Sequence, residues 1–343
     1  MTDDEIGKLF APLFDDLRGE DCFPNRRPLL THYTSIVGLE AILRTNELWL
    51  SNPLFMNDME EVRFGIHTGA RLFLGSSELE VACRNKNRFD LLKHSFTYYF
   101  NKFDSEHVLD TYVFCLSEHA KDDTDGRLSM WRGYGGNGNG AAIVFDTAKI
   151  AAREESPLVI AHVHYGTGPE RQNWLQRRIA EFGEILAKSE MPDDKLSIAS
   201  YYFFERLKLF AIFTKHRGFL EENEWRVVYM RDRDTAHVFD RMFSYWVGPR
   251  GVEPKLKLKI EAIPGLPETN LTLAEIVDRI ILGPSLSSPL ARNTILKISK
   301  AWVERILKIG LCLRQSRSGQ SETGAGVTAR ERRIRGNWQS RGH

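Results

Sequence analysis

Short apolar runs suited to β-strands and longer amphipathic runs suited to helices follow one another along this chain in no regular order. Leu48–Leu50, Val113–Leu116, Ala141–Phe145, Leu158–Tyr165, the stretch around Val227, Leu256–Ile260 and Ile280–Leu282 read as strands. An amphipathic helix is expected over Asp4–Leu17, another after Ser35, and a mostly helical region from about Glu60 to Phe103. Two long helices follow at Arg171–Lys188 and Leu196–Lys215, and a last one at about Leu290–Leu307. A doubly wound parallel sheet needs strands alternating with helices, so the mixed order favours an α+β fold with a mixed sheet.

The boundaries follow from the same pattern. Residues 1–28 read as an N-terminal helix and linker, 29–313 as one domain with a helical insertion near 170–215, and 314–343 as a basic tail. That tail carries seven Arg against two Glu amid Gly and Ser, a composition too poor in apolar residues to offset its ordering entropy. A solvated tail is preferred there over a nucleic-acid contact. The net charge of +1 gives no global argument for nucleic acid or anionic membrane. No apolar run approaches the roughly 20 residues that span a bilayer, and the acidic start Met1–Glu5 is unlike a secretory signal. Cys22, Cys83, Cys115 and Cys312 are scattered without a CxxC pair, which points to reduced thiols and a cytoplasmic protein, with no zinc site.

The run Glu222-Asn223-Glu224-Trp225-Arg226-Val227-Val228-Tyr229 holds the strongest chemical signal. A carboxylate at the start of a strand can steady positive charge developing on a sugar, and Glu222, two residues away, would share its face. The structural alternative is an ion network of Glu224 with Arg226, Arg217 or Lys215. His32, in Leu30-Thr31-His32-Tyr33-Thr34-Ser35, reads as a strand-end histidine able to bond a ribose hydroxyl, or simply to satisfy a backbone carbonyl. Ser117, at the end of a strand, with Trp131 and Tyr134 on the next helix, would wall a flat pocket; Trp131 reads equally well as a core residue. The glycines from Gly133 to Gly138 precede a strand rather than a helix, which rejects a dinucleotide fingerprint. Asn57-Asp58 with Glu60 and Glu61 reads as a helix cap. His162 and His164 lack the further ligands a metal needs, and no serine-hydrolase elbow is present.

Taken in order, His32-Tyr33-Thr34-Ser35 with Leu48-Trp49-Leu50-Ser51, Cys115-Leu116-Ser117-Glu118 with Met130-Trp131-Arg132-Gly133-Tyr134-Gly135, Lys215-His216-Arg217-Gly218-Phe219 with Glu222–Arg226, and Ile280–Pro284 resemble a bacterial family known only as domain of unknown function 2971. The similarity spans roughly Leu29–Ser316. More distantly, the set resembles the ADP-ribosyltransferase fold in its diphtheria-toxin and poly(ADP-ribose)-polymerase branch. That resemblance implies a mainly antiparallel sheet core with helical insertions and NAD as substrate. His32 would bind the adenosine ribose, and the Tyr33 backbone would hold the nicotinamide carboxamide. Thr34 and Ser117 complete the cofactor-binding set, and Tyr134, or Trp131, would stack on nicotinamide. Glu224 becomes the catalytic carboxylate, and Glu222 resembles the paired glutamate of the arginine-modifying branch. Two features depart from the pattern: Tyr33 stands where the polymerases usually have Gly, and two long helices separate the second and third motifs.

The expected function is NAD-dependent ADP-ribosyl transfer to a macromolecular acceptor, protein or nucleic acid. It would suit a toxin or anti-phage defence effector restrained by an antitoxin or regulatory partner, with no membrane. The alternatives are a non-catalytic NAD or ADP-ribose sensor, and a nucleic-acid-interacting defence protein that uses the tail.

Overall fold

Thirteen of the eighteen residues of one helix, Leu196–Phe213, are buried, so it is apolar nearly all round and can only sit at a centre. The computed structural model describes residues 1–56, 59–108, 110–151, 156–248, 251–260, 272–286, 288, 290, 293–298 and 300–302. Asn57 and Asp58, eight of the eighteen residues of the expected closing helix and the whole tail from Arg314 lie outside them. Met1–Ile295 forms one compact unit, and a second begins at Leu296.

The helices are α1 (Asp3–Phe10), α2 (Ile36–Thr45), α3 (Met59–Leu74), α4 (Ser77–Ala82), α5 (Lys86–Lys102), α6 (Leu128–Gly133), α7 (Gly168–Lys188), α8 (Leu196–Phe213) and α9 (Leu273–Ile276). The strands are β1 (Leu29–Thr34), β2 (Glu47–Ser51), β3 (Thr111–His119), β4 (Ala141–Asp146), β5 (Leu158–His162), β6 (His164–Gly166), β7 (Thr214–His216), β8 (Glu224–Met230), β9 (Phe243–Gly248), β10 (Gly251–Lys259) and β11 (Val277–Leu282). Nine of these make one sheet in the order β11-β4-β1-β3-β2-β10-β9, with β8 on β3 and β5 on β8. Every pairing in that sheet is antiparallel, while β6 and β7 form a separate parallel ribbon. The α+β expectation with a mainly antiparallel sheet holds at this level.

The helical core joins α1, α3, α5, α7 and α8 through Phe10, Phe73, Phe96, Phe182 and Phe203, and α4 through Leu79, with Phe73 stacked on Phe96 at 4.2 Å. The N-terminal helix therefore packs inside this core. It stops at Phe10 because Pro12 enters the next turn, and the chain continues to Leu17 as a 3-10 helix. The far end of α8 packs through Leu209, Ile212 and Phe213 onto Val113, Val228 and Met230 of the sheet.

The single strand expected at Leu158–Tyr165 is broken at Val163, whose N–H bonds the Glu224 carbonyl at 2.8 Å. Its two halves join different sheets. His32 is the fourth of six residues in β1, inside the strand rather than at its end.

Candidate functional site

β1 and β3 pair only from Leu29↔His119 to Thr31↔Ser117, while β1 stays on β4 through to Thr34. Beyond Thr31 the two strands part. The same Ser117 stands directly opposite Glu224 on β8, so Thr31, Ser117 and Glu224 share one face of the sheet. Asn223 sets up the start of β8: its left-handed φ of 42° turns the chain out of the 3-10 helix Arg217–Glu222 and into the strand.

Glu224 is 4% exposed and both of its oxygens are engaged. Oε1 accepts from Arg226 Nε at 2.8 Å, and Oε2 accepts from Arg226 Nη2 and Lys215 Nζ, each at 3.1 Å. Its own N–H donates to the Tyr165 hydroxyl at 2.8 Å. Burial alone would raise this carboxyl; the Arg226 guanidinium, then Lys215, outweigh it and hold the pKa at about 2. Arg226 also donates to the Ile212 carbonyl at the end of α8, which ties the cluster to the central helix.

Lys215 carries the cluster outward. Its Nζ donates to Glu222 Oε2 at 2.6 Å, and the other Glu222 oxygen accepts from the Tyr134 hydroxyl at 2.9 Å. Ser117 Oγ donates to the Glu222 carbonyl at 2.6 Å. The result is a chain from Tyr134 through Glu222 and Lys215 to Glu224 that runs from the surface into the interior. The Tyr134 residue is 45% exposed, and the side chains of Glu222, Lys215 and Glu224 are 14%, 3% and 5% exposed.

The remaining expected residues fall around this chain or away from it. Trp131 is buried at 2% exposure; its Nε1 donates to the Asp125 carbonyl at 2.8 Å and its ring meets Tyr33 edge-on at 4.9 Å. It is a core residue, which leaves Tyr134 as the accessible aromatic. The Tyr33 hydroxyl accepts from the Arg127 N–H at 2.9 Å and so fixes the start of α6. Thr34 lies against Gly38 at the start of α2, where an added Cβ would come within 2.2 Å of its Oγ1.

Strand alternation puts His32 on the face opposite Thr31 and Tyr33. There its ring stacks on Phe114 at 4.3 Å, and Nδ1 lies 3.1 Å from the Cys115 carbonyl, across the gap where β1 leaves β3. Burial lowers its pKa, against the carbonyl contact, so the ring is neutral near pH 7. The structure thus joins Glu222, Glu224, Ser117 and Tyr134 and sets His32 apart from them.

Lys215 and Tyr165 belong to the cluster as much as the glutamates do. In the sequence Lys215 reads as an ion partner of Glu224 and as part of the motif Lys215-His216-Arg217-Gly218-Phe219, and Tyr165 reads only as a strand residue. The signal for Lys215 was a lysine two residues past the apolar run Leu209–Phe213, after Thr214. The glycine loop after Tyr134 is structural: a Cβ at Gly140 would meet the Thr34 carbonyl at 2.2 Å, and Gly283 N–H bonds the Gly140 carbonyl at 2.9 Å. No group of three or more metal-capable side chains occurs among the described residues. Nor is any helix there long and apolar enough to cross a membrane.

Residues 130–227 match the family model described as Protein of unknown function (DUF2971). The matched segment runs from α6 into β8. It contains Tyr134, Lys215, Glu222 and Glu224 and leaves out His32 and Ser117. Comparisons with curated proteins and with solved structures found no match.

Proposed function

We propose that the chain cleaves the nicotinamide–ribose bond of NAD and passes ADP-ribose to a macromolecular acceptor. The supporting observation is the hydrogen-bonded series Tyr134–Glu222–Lys215–Glu224, which links an exposed aromatic to a paired glutamate at a strand start. Tyr134 supplies a ring face for nicotinamide. When the C–N bond breaks, its electron pair leaves with nicotinamide, and the sugar passes through an oxocarbenium-like state. Glu222, the more open carboxylate, stabilises that charge and takes the proton as the acceptor bonds to the sugar carbon. Lys215, shared between the two glutamates, fixes Glu222, and Glu224 fixes Lys215.

The expected central role of Glu224 thus passes to Glu222. With Arg226 and Lys215 on both oxygens, Glu224 serves as a positioning residue. The same saturation favours a second reading, a module that binds NAD or ADP-ribose without cutting it. Labelled NAD incubated with a cell lysate separates the two. In the first reading label moves onto a macromolecule, and Glu222→Gln lowers transfer by about 10²–10³ at unchanged circular dichroism. Saturable ADP-ribose binding with no transfer selects the second, and transfer that ignores Glu222→Gln removes that residue from the mechanism.

A further inference from the structure

A cavity of about 240 Å³ lies behind the β6–β7 ribbon, bounded by α7, α8 and the turn at Leu17. The register of the ribbon is His164↔Thr214, Tyr165↔Lys215 and Gly166↔His216. Tyr165 and Lys215 bond Glu224, while His164 and Thr214, with Gly166 and Tyr165 itself, line the cavity. The ribbon is therefore a shared wall between the glutamate cluster and this second space.

The lining is cationic and aromatic. Arg171 and Arg206 each meet one carboxylate, Glu61 and Asp16, and Glu170 is engaged by Thr167 and Arg217. Arg177 is exposed and has no ion pair among the described residues, so the wall carries one uncompensated positive charge. Burial, then the neighbouring His162, lowers the His164 pKa and keeps it neutral.

Two lining residues also carry buried polar atoms without a partner: Arg171 Nε and Thr214 Oγ1, each in a residue only 6% exposed. Such groups are costly unless something accepts from them. Leu209, Phe210 and Phe213 supply an apolar floor, and Trp174 stacks on Phe210 at 4.5 Å. The volume falls below the roughly 300–1,000 Å³ of sites for larger ligands, which suits a single ring.

We propose that this cavity binds a small aromatic monocarboxylate, with its ring against the apolar floor and its charge met by Arg177. The site does not depend on the NAD reading. Isothermal titration of the full chain with benzoate tests it, with benzyl alcohol as the neutral counterpart. Benzoate should saturate in the range of roughly 10 µM to 1 mM, a span open to a nine-atom ligand. Benzyl alcohol should bind at least about tenfold more weakly, because it offers the guanidinium no charge. Arg177→Gln, at an exposed position, should weaken benzoate about tenfold with an unchanged melting temperature. Leu17→Trp should block the cavity and abolish binding. No saturation by benzoate or phenylacetate up to about 10 mM, or equal affinity for acid and alcohol, would overturn the proposal. So would unaltered benzoate binding in both variants.

Discussion

Glu224 is a carboxylate that stays charged inside the protein because Arg226 and Lys215 leave it no unpaired oxygen. Its pKa of about 2 lies below the ordinary 4.5, so the folded state binds fewer protons than the unfolded chain between those values. Its stabilisation, on the order of 3 kcal/mol, is complete above pH 4.5 and disappears as pH falls towards 2. The depressed pKa of His32 acts in the same direction, beginning as pH drops below 6.5, where the unfolded chain takes up the proton first. Urea titrations between pH 7 and 3 should show the midpoint falling first through His32 and then through Glu224; a midpoint flat below pH 4.5 contradicts the buried ion cluster. Glu224→Gln should cost about 3–5 kcal/mol, since it strands Arg226 in the interior, and adding Arg226→Met should recover part of the loss. That variant consequently tests folding as well as chemistry. The sequence showed a carboxylate at a strand start with Arg226 beside it. It did not show which face His32 takes, because facing depends on pairing register, and register is set by distant partners: Thr31 pairs with Ser117 on β3 and His32 with Ile143 on β4.

Among the elements, α8 was legible as a long helix from its apolar run, and the structure adds that it touches both the helical core and the sheet. It lies close against α3, where a Cβ on Gly65 would stand 2.6 Å from Ala211 Cα. Gly65→Ala should therefore destabilise by about 1–3 kcal/mol, measured by urea denaturation, since backbone cannot yield as a side chain can. Gly69 makes the contrast: its added Cβ would meet the Leu207 Cδ1 methyl, which can rotate away, so Gly69→Ala should cost less. The β6–β7 ribbon was not legible. Leu158–Tyr165 reads as one continuous run, and nothing local shows that the chain leaves β8 after Val163 bonds the Glu224 carbonyl and pairs instead with β7. β9, with Tyr245 and Val247 exposed, was missed because an edge strand open to solvent lacks the buried pattern that identifies strands.

Across the unit Met1–Ile295, the helices of residues 59–107 and α7 and α8 form one core that α1 joins, so the insertion expected near 170–215 is only part of a larger helical layer. Such grouping is invisible locally, because each helix shows only its own apolar face. Since α8 belongs to both layers, helices and sheet should unfold together. Phe203→Ala should remove about 3–5 kcal/mol and shift the far- and near-ultraviolet dichroism transitions equally; separated transitions would mean the layers are independent. The same layering brings the end of α8, the start of β8 and the end of α6 to one place, and the proposed chemistry depends on that convergence. The most direct test is nicotinamide release from NAD by the purified chain, measured beside Glu222→Gln and Tyr134→Ala. Release that falls by about 10²–10³ in Glu222→Gln, and that is weakened in Tyr134→Ala, is the predicted result. Release at the wild-type rate from Glu222→Gln, or none from the wild type with lysate present, would contradict it.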